Sequence, residues 1–172
     1  MQCGGVMTDD ESRGAVTWLL DVDGVLNARR HAWPDRIARR TVSVGGESYP
    51  LAWSPSLVAR VRDLATDGRV RIVWATSWCP HADRLEELWG LPVLPRAWST
   101  AHDSDDALSA AKRAAAASAA ADGRVIWTDD EYAPDVRTDV MLGIRPHPRR
   151  GLTPSDIDAI ESFITRDLTS GF

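Results

Sequence analysis

The sequence predicts an α/β fold, a three-layer αβα sandwich on a parallel sheet, and three observations carry that prediction. Short apolar runs alternate with amphipathic helical patterns along most of the chain, the order that lays helices over both faces of a parallel sheet. The apolar runs do not alternate internally with polar residues, as suits strands covered on both sides. Three of them stop at clusters of acidic or hydroxyl residues, at the strand ends where such sheets bind ligands. The length of 172 residues, 44% apolar and 26% charged, suits one domain. A domain of that size buries roughly 70% of the surface its unfolded chain exposes and needs no disulfide or structural metal.

Residues 1–13 read as a polar, disordered tail before a single domain over 14–168. The run 15–20 is a buried strand that breaks at Asp21-Val22-Asp23-Gly24. Residues 27–53 depart from the pattern: they are arginine-rich to Arg40, then carry two extended pieces on either side of Gly45-Gly46, a hairpin signal, and so form a small flap. Ser54-Pro55 opens a helix with Leu57, Val58, Val61 and Leu64 on one face, and Gly68 closes it. A second buried strand, 70–75, ends in Thr76-Ser77. A helix over 80–89 is closed by Gly90, and Pro92-Val93-Leu94-Pro95 is the extent of a third strand. Asp105 or Asp106 caps a helix that runs through the alanines to Gly123. Strands follow at 125–128, broken by Asp129-Asp130, and at 140–144, before a helix capped by Thr153-Pro154 that carries Ile157, Ile160, Phe163 and Ile164. With right-handed crossovers the spatial order of these five strands is 3-2-1-4-5.

Composition narrows the function. A net charge of −5 argues against holding nucleic acid through bulk charge. Local clusters are another matter, since Arg29, Arg30, Arg36, Arg39 and Arg40 surround Trp33 in the flap and could hold a nucleotide or nucleic-acid phosphate and stack a base. The alternative there is an arginine-rich flap facing solvent. Cys3 and Cys79 are the only cysteines, too few for a disulfide framework, and a cytoplasmic protein is expected. No apolar stretch approaches the ~20 residues of a membrane span, and residues 1–13 lack the order of a signal peptide. Histidines 31, 81, 102 and 147 have no zinc-ligand spacing. Every basic residue except Lys112 is arginine, which raises the question of what an arginine could not do at that position.

The polar strand ends resemble a known set. DVDGVLN after a buried strand resembles motif I of the haloacid dehalogenase superfamily of phosphotransferases, and VWATSW resembles its motif II. Lys112 is similar to the motif III lysine, and WTDDE to motif IV in its adjacent-diaspartate form. The similarity covers roughly residues 15–165, in the family's order. It is nearest to small bacterial stand-alone domains, related to phosphatase modules in RNA-repair proteins, with a Rossmann-like fold and no large cap domain.

The resemblance implies a phosphatase or phosphotransferase of phosphorylated small molecules, nucleotides or nucleic-acid ends. Asp21 is its nucleophile, forming an aspartyl-phosphate, and Asp23 its general acid and base. Mg²⁺ is held by Asp21, the backbone carbonyl of Asp23, Asp129, and Asp130 directly or through water. Gly24, Thr76, Ser77 and Lys112 contact the phosphate; Thr76 comes first after the apolar run, with Ser77 as its rival. A compact ammonium suits a crowded anion pocket better than a planar guanidinium. Two other classes compete. A phospho-accepting receiver domain places its acidic pair first, whereas this chain places it last. A scaffold that keeps the fold without turnover has no reason to retain every catalytic side chain, and here none is missing.

Overall fold

The apolar runs assemble the central sheet, as expected. The computed structural model describes residues 16–166; the tail at 1–13, the first strand residue at 15 and the domain limits at 14 and 168 lie outside the described residues. The elements are β1 (Val16–Leu20), β2 (Ala38–Val44), β3 (Glu47–Trp53), α1 (Pro55–Asp67), β4 (Val70–Trp74), α2 (Ala82–Trp89), α3 (Asp105–Asp122), β5 (Arg124–Thr128), β6 (Val136–Arg137), β7 (Met141–Ile144) and α4 (Pro154–Thr165). The main sheet runs β4-β1-β5-β7-β6, parallel except for β6. Among the described residues no helix is long and apolar enough to cross a membrane.

The two-residue period of a strand divides its side chains between two cores. Trp18, Leu20, Ile72, Trp74 and Ile126 pack against Leu57 and Val61 of α1, Leu85 and Trp89 of α2, and Ile157, Ile160 and Phe163 of α4. Leu19, Val73, Val125 and Trp127 face the other way, against Ala115, Ala116 and Ala119 of α3. The layers are therefore unequal, with three helices on one face and one on the other among the described residues. Small side chains let α3 approach its face of the sheet closely.

Local chemistry sets the ends of the helices. Ser54 Oγ accepts from Leu57 N (3.1 Å) at the start of α1, and Gly68 closes that helix at φ 79°. Thr153 and Asp156 form a reciprocal capping box at the start of α4. Ser104, rather than Asp105 or Asp106, caps α3, its Oγ accepting from Ala107 N (3.2 Å); the two aspartates lie in the first turn, where they complement the helix dipole. The helix expected over 80–89 begins as a 3₁₀ turn, Cys79–His81, and becomes α-helical at Ala82.

The sheet edges correct the strand list. Residues 92–95 are not a strand. Pro92 and Pro95 lack an N–H, and Leu94 N donates to Glu86 Oε1 (3.0 Å), so only an isolated parallel bridge, Trp74 with Arg96, forms beside β4. That segment stands where the third strand of the expected order belongs, and the other four keep their order. At the opposite edge, β6 is an addition of two residues, too short to leave a periodic signal. It is reached because a Cβ on Gly143 would strike the Pro134 carbonyl, so only glycine lets the chain pass.

The hairpin of β2 and β3 stands apart from the main sheet, turning through Gly45 (φ 59°) and Gly46 (φ 86°). Two consecutive left-handed residues make the tight hairpin turn that matches strand twist. Its end is joined to the loop after β1, since Ala28 N donates to Ala52 O (2.8 Å) and Ala52 N to Asn27 Oδ1 (2.8 Å). Trp33 does not stand free for a base. Its Nε1 donates to Leu152 O (2.8 Å) and its ring packs on the larger core.

Candidate active site

Register brings the polar strand ends together. Leu20 pairs with both Trp74 and Thr128, so the chain leaves the sheet at Asp21, Ala75 and Asp129 on one level. Asp21 N donates to Thr128 O (3.1 Å) and Ala75 N to Leu20 O (3.0 Å), continuing the ladders past the strands. Lys112 arrives from α3, on the same buried face as Ser109 and Ala116, and is only 4% exposed. Its Nζ lies 2.8 Å from Asp21 Oδ2 and 2.6 Å from Asp129 Oδ2, with the Tyr132 ring 5.1 Å away. A solvated helix lysine would show none of this.

The pocket holds more negative than positive charge. Asp21, Asp129 and Asp130 each offer an oxygen within 4.8 Å of the others, against one ammonium. Burial pushes the Asp21 carboxyl up to about 7, with Lys112 pulling it down and the Asp129 charge pushing it further up. Burial, then Asp129, also raises Asp130. Burial alone would lower Lys112, but Asp21 and Asp129 hold it above its ordinary value. Asp129 is anchored by Glu131 N (2.9 Å) and Tyr132 N (2.8 Å), both donating to Oδ1. An all-oxygen, carboxylate-rich donor set that is short of positive charge fits a hard divalent cation.

Asp23 stands outside that cluster. It is exposed, and its carboxylate accepts from Asn27 Nδ2 at Oδ1 (2.7 Å) and from Trp78 Nε1 at Oδ2 (3.0 Å). Two cavities meet at it. One, of about 890 Å³, is lined by Arg29, Arg39, Arg40 and Arg149; the other, of about 400 Å³, by Tyr49, Ser77, Trp78 and His81.

The remaining expected residues divide. Thr76 is fully buried; its Oγ1 accepts from Trp78 N (3.3 Å) and donates to no partner among the described residues. Ser77 is exposed and borders the cavity beside Asp23. Gly24 does not fit phosphate binding, because its N–H is taken by Asn27 O (2.9 Å). Its place is steric: at φ 70° it lies under Asp130, and a Cβ there would overlap that carboxylate. Of the expected flap arginines, Arg29, Arg39 and Arg40 reach the cavity lining. Asn27, Trp78 and Tyr132 were not expected at the site. The first two lie within the motif stretches DVDGVLN and VWATSW, but only the fold shows what they touch.

A family model described as "HAD domain in Swiss Army Knife RNA repair proteins" matches residues 17–157. No curated protein and no solved structure matches the chain.

Proposed function

The chain belongs to the family of HAD domains in Swiss Army Knife RNA repair proteins, and from that premise we propose a Mg²⁺-dependent phosphomonoester hydrolase that works through an aspartyl-phosphate on Asp21. The observation that carries the proposal is the pairing of buried Asp21 with the Lys112 ammonium at 2.8 Å, two residues before a solvent-facing carboxylate that lies outside the acidic cluster. One aspartate is placed to attack and the other to exchange protons.

In the first half-reaction an Asp21 oxygen bonds to phosphorus as the bond to the ester oxygen breaks, and Asp23 gives its proton to the departing alkoxide. In the second, Asp23 takes a proton from water, whose oxygen bonds to phosphorus and returns the Asp21 carboxylate. Lys112 balances charge on the phosphoryl oxygens and orients Asp21, while Thr76 donates its hydroxyl to a non-bridging oxygen. Asp21, Asp129, Asp130 and the Asp23 carbonyl are the residues that would hold Mg²⁺, which when bound screens the carboxylate nucleophile from the phosphate anion.

The substrate we favour is a nucleotide or nucleic-acid end phosphate in the cytoplasm. Arg29, Arg39, Arg40 and Arg149 line the larger cavity beside Asp23 and form no ion pair among the described residues, which leaves them available to an anionic leaving group. The test is a phosphate-release screen of the full chain with Mg²⁺ against sugar phosphates, nucleotides and oligonucleotides phosphorylated at either end. Turnover that is lost in Asp21→Asn and in excess chelator is expected. Release that persists in both overturns the proposal.

A further inference from the structure

We propose that Asn27 and Trp78 are positioning residues for Asp23, and that the β2–β3 hairpin is the element that sets them. This rests on the hydrolase reading above, because it assigns Asp23 the proton transfers.

A carboxylate open to solvent rotates freely about its terminal bond, and a general acid is effective only when one oxygen faces the leaving group. Here that rotation is blocked from two sides. Asn27 reaches one oxygen at 2.7 Å and the Trp78 indole reaches the other at 3.0 Å. Indole nitrogen is a donor only, so the Trp78 bond has one direction. An amide could be turned either way, but Ala52 N donates to Asn27 Oδ1 at 2.8 Å, which commits the Asn27 NH₂ group to Asp23. Each Asp23 oxygen keeps lone-pair capacity for a proton.

Both donors lean on the hairpin. Ala52 lies in β3, opposite Arg39 of β2, and its carbonyl also accepts from Ala28 N (2.8 Å). Tyr49, on the same strand, meets the Trp78 ring edge-on with centroids 5.3 Å apart. Trp78 is 7% exposed, and its backbone N–H also holds Thr76 Oγ1, so one residue spans the proposed acid and the proposed phosphoryl donor. These side-chain bonds are not needed to close the turn. Main-chain bonds already do that, from Gly24 N to Asn27 O (2.9 Å) and from Leu26 N (2.9 Å) and Asn27 N (2.8 Å) to Val22 O. What the side-chain contacts add to that closed turn is a fixed carboxylate, tied to the hairpin through Asn27 and Ala52.

The test separates proton delivery from general damage. Trp78→Phe removes the indole N–H and keeps a packed ring, and Asn27→Ala removes the amide. Each is assayed as the full chain with Mg²⁺ on alkyl phosphates, whose alkoxides must be protonated to leave, and on p-nitrophenyl phosphate, whose phenolate leaves without help. The expected result is a fall in kcat/KM of about 10-fold or more on alkyl esters and less than about 3-fold on the aryl ester. In an Asp23→Asn background, Trp78→Phe should add nothing further. A readout independent of turnover is the Trp78 indole N–H resonance, identified by its loss in Trp78→Phe; it should move in Asp23→Ala and stay in Asp139→Ala. Equal losses on both ester classes, or an unmoved resonance, overturn the inference while leaving the hydrolase reading intact if Asp21→Asn is inactive. A chain inactive on every ester, or an active Asp21→Asn, overturns both.

Discussion

Asp21 and Asp23 are separated only by Val22, which is fully buried, and they lie in opposite electrostatic settings. Around Asp21, charges meet where water is largely excluded: three carboxylates, one ammonium, and an aspartate pushed up to about 7 chiefly by burial. Around Asp23, two neutral donors hold a carboxylate that faces solvent. The first region could hold a further cation, since unpaired charge taken out of water costs several kcal/mol per ion. The second has its hydrogen bonds satisfied as it stands. Chemistry in the pocket should therefore depend on charge, and chemistry at the mouth on geometry.

The largest effect should come from removing charge at the nucleophile. Asp21→Asn keeps the shape but loses the attacking oxygen, and kcat should fall by a factor on the order of 10³ or more. Its melting temperature without metal should not fall, because the carboxylate removed is one that burial disfavours. A variant that is both active and destabilised would reverse the contrast between the two regions.

Lys112 follows. Lys112→Arg keeps the charge but replaces a compact ammonium with a larger planar fork, and should lower kcat/KM at least about tenfold, near 1.4 kcal/mol, with little change in melting temperature; Lys112→Ala should lose more. Unchanged kinetics in both variants would make the ion pairs with Asp21 and Asp129 structural only.

The pocket should also show in the pH dependence of the metal-free protein. The folded-state value of Asp21 is raised from 3.8 to about 7, so its contribution to stability is fully present below about 4 and is lost as pH rises to about 7. The melting temperature without metal should fall as pH rises across that window, and stabilisation by Mg²⁺ should grow across it, because the ion binds the ionised form. Thermal melts at pH 5 and pH 8, with Mg²⁺ and with chelator, check this. A Mg²⁺ shift that is equal at both pH values would mean the cluster is not where the ion binds.

The smallest effect belongs to the mouth. Replacing Arg39 and Arg40 with alanine should raise KM for phosphorylated oligonucleotides by about 3- to 10-fold and weaken its salt dependence. Both kcat and melting temperature should hold. A loss confined to kcat would place these arginines in the chemistry rather than at the edge of the substrate.

How much of this the sequence discloses depends on the range of the interaction. The runs at β1, β4 and β5 are legible because apolar residues end abruptly at Asp21, Thr76 and Asp129, a local pattern. Lys112 is legible through scarcity in an arginine-rich chain. The unequal layers are not, since nothing local tells α3 that it covers its face alone. Trp33 reads as a stacking platform until a carbonyl far along the chain, that of Leu152, takes its indole proton. Trp78 and Asn27 sit inside recognisable stretches, yet their partners depend on how the hairpin folds back. Residues 92–95 show the same limit, because the donor that would have extended a ladder is claimed by the side chain of Glu86.

That last feature matters for how the protein behaves in a crowd of its own copies. An outer strand with free N–H and C=O groups is a template for growth by edge-to-edge pairing. Trp74, on the outer strand β4, has its N–H bound to Pro95 O and its C=O to Ala97 N, and Pro92 and Pro95 offer no hydrogen of their own. The far side of the sheet ends in a strand of two residues beside Pro134. The hairpin presents Arg39 and Arg40 along β2, where like charges repel a second copy. Edge pairing is thus opposed at the end of β4, at β6 and along β2.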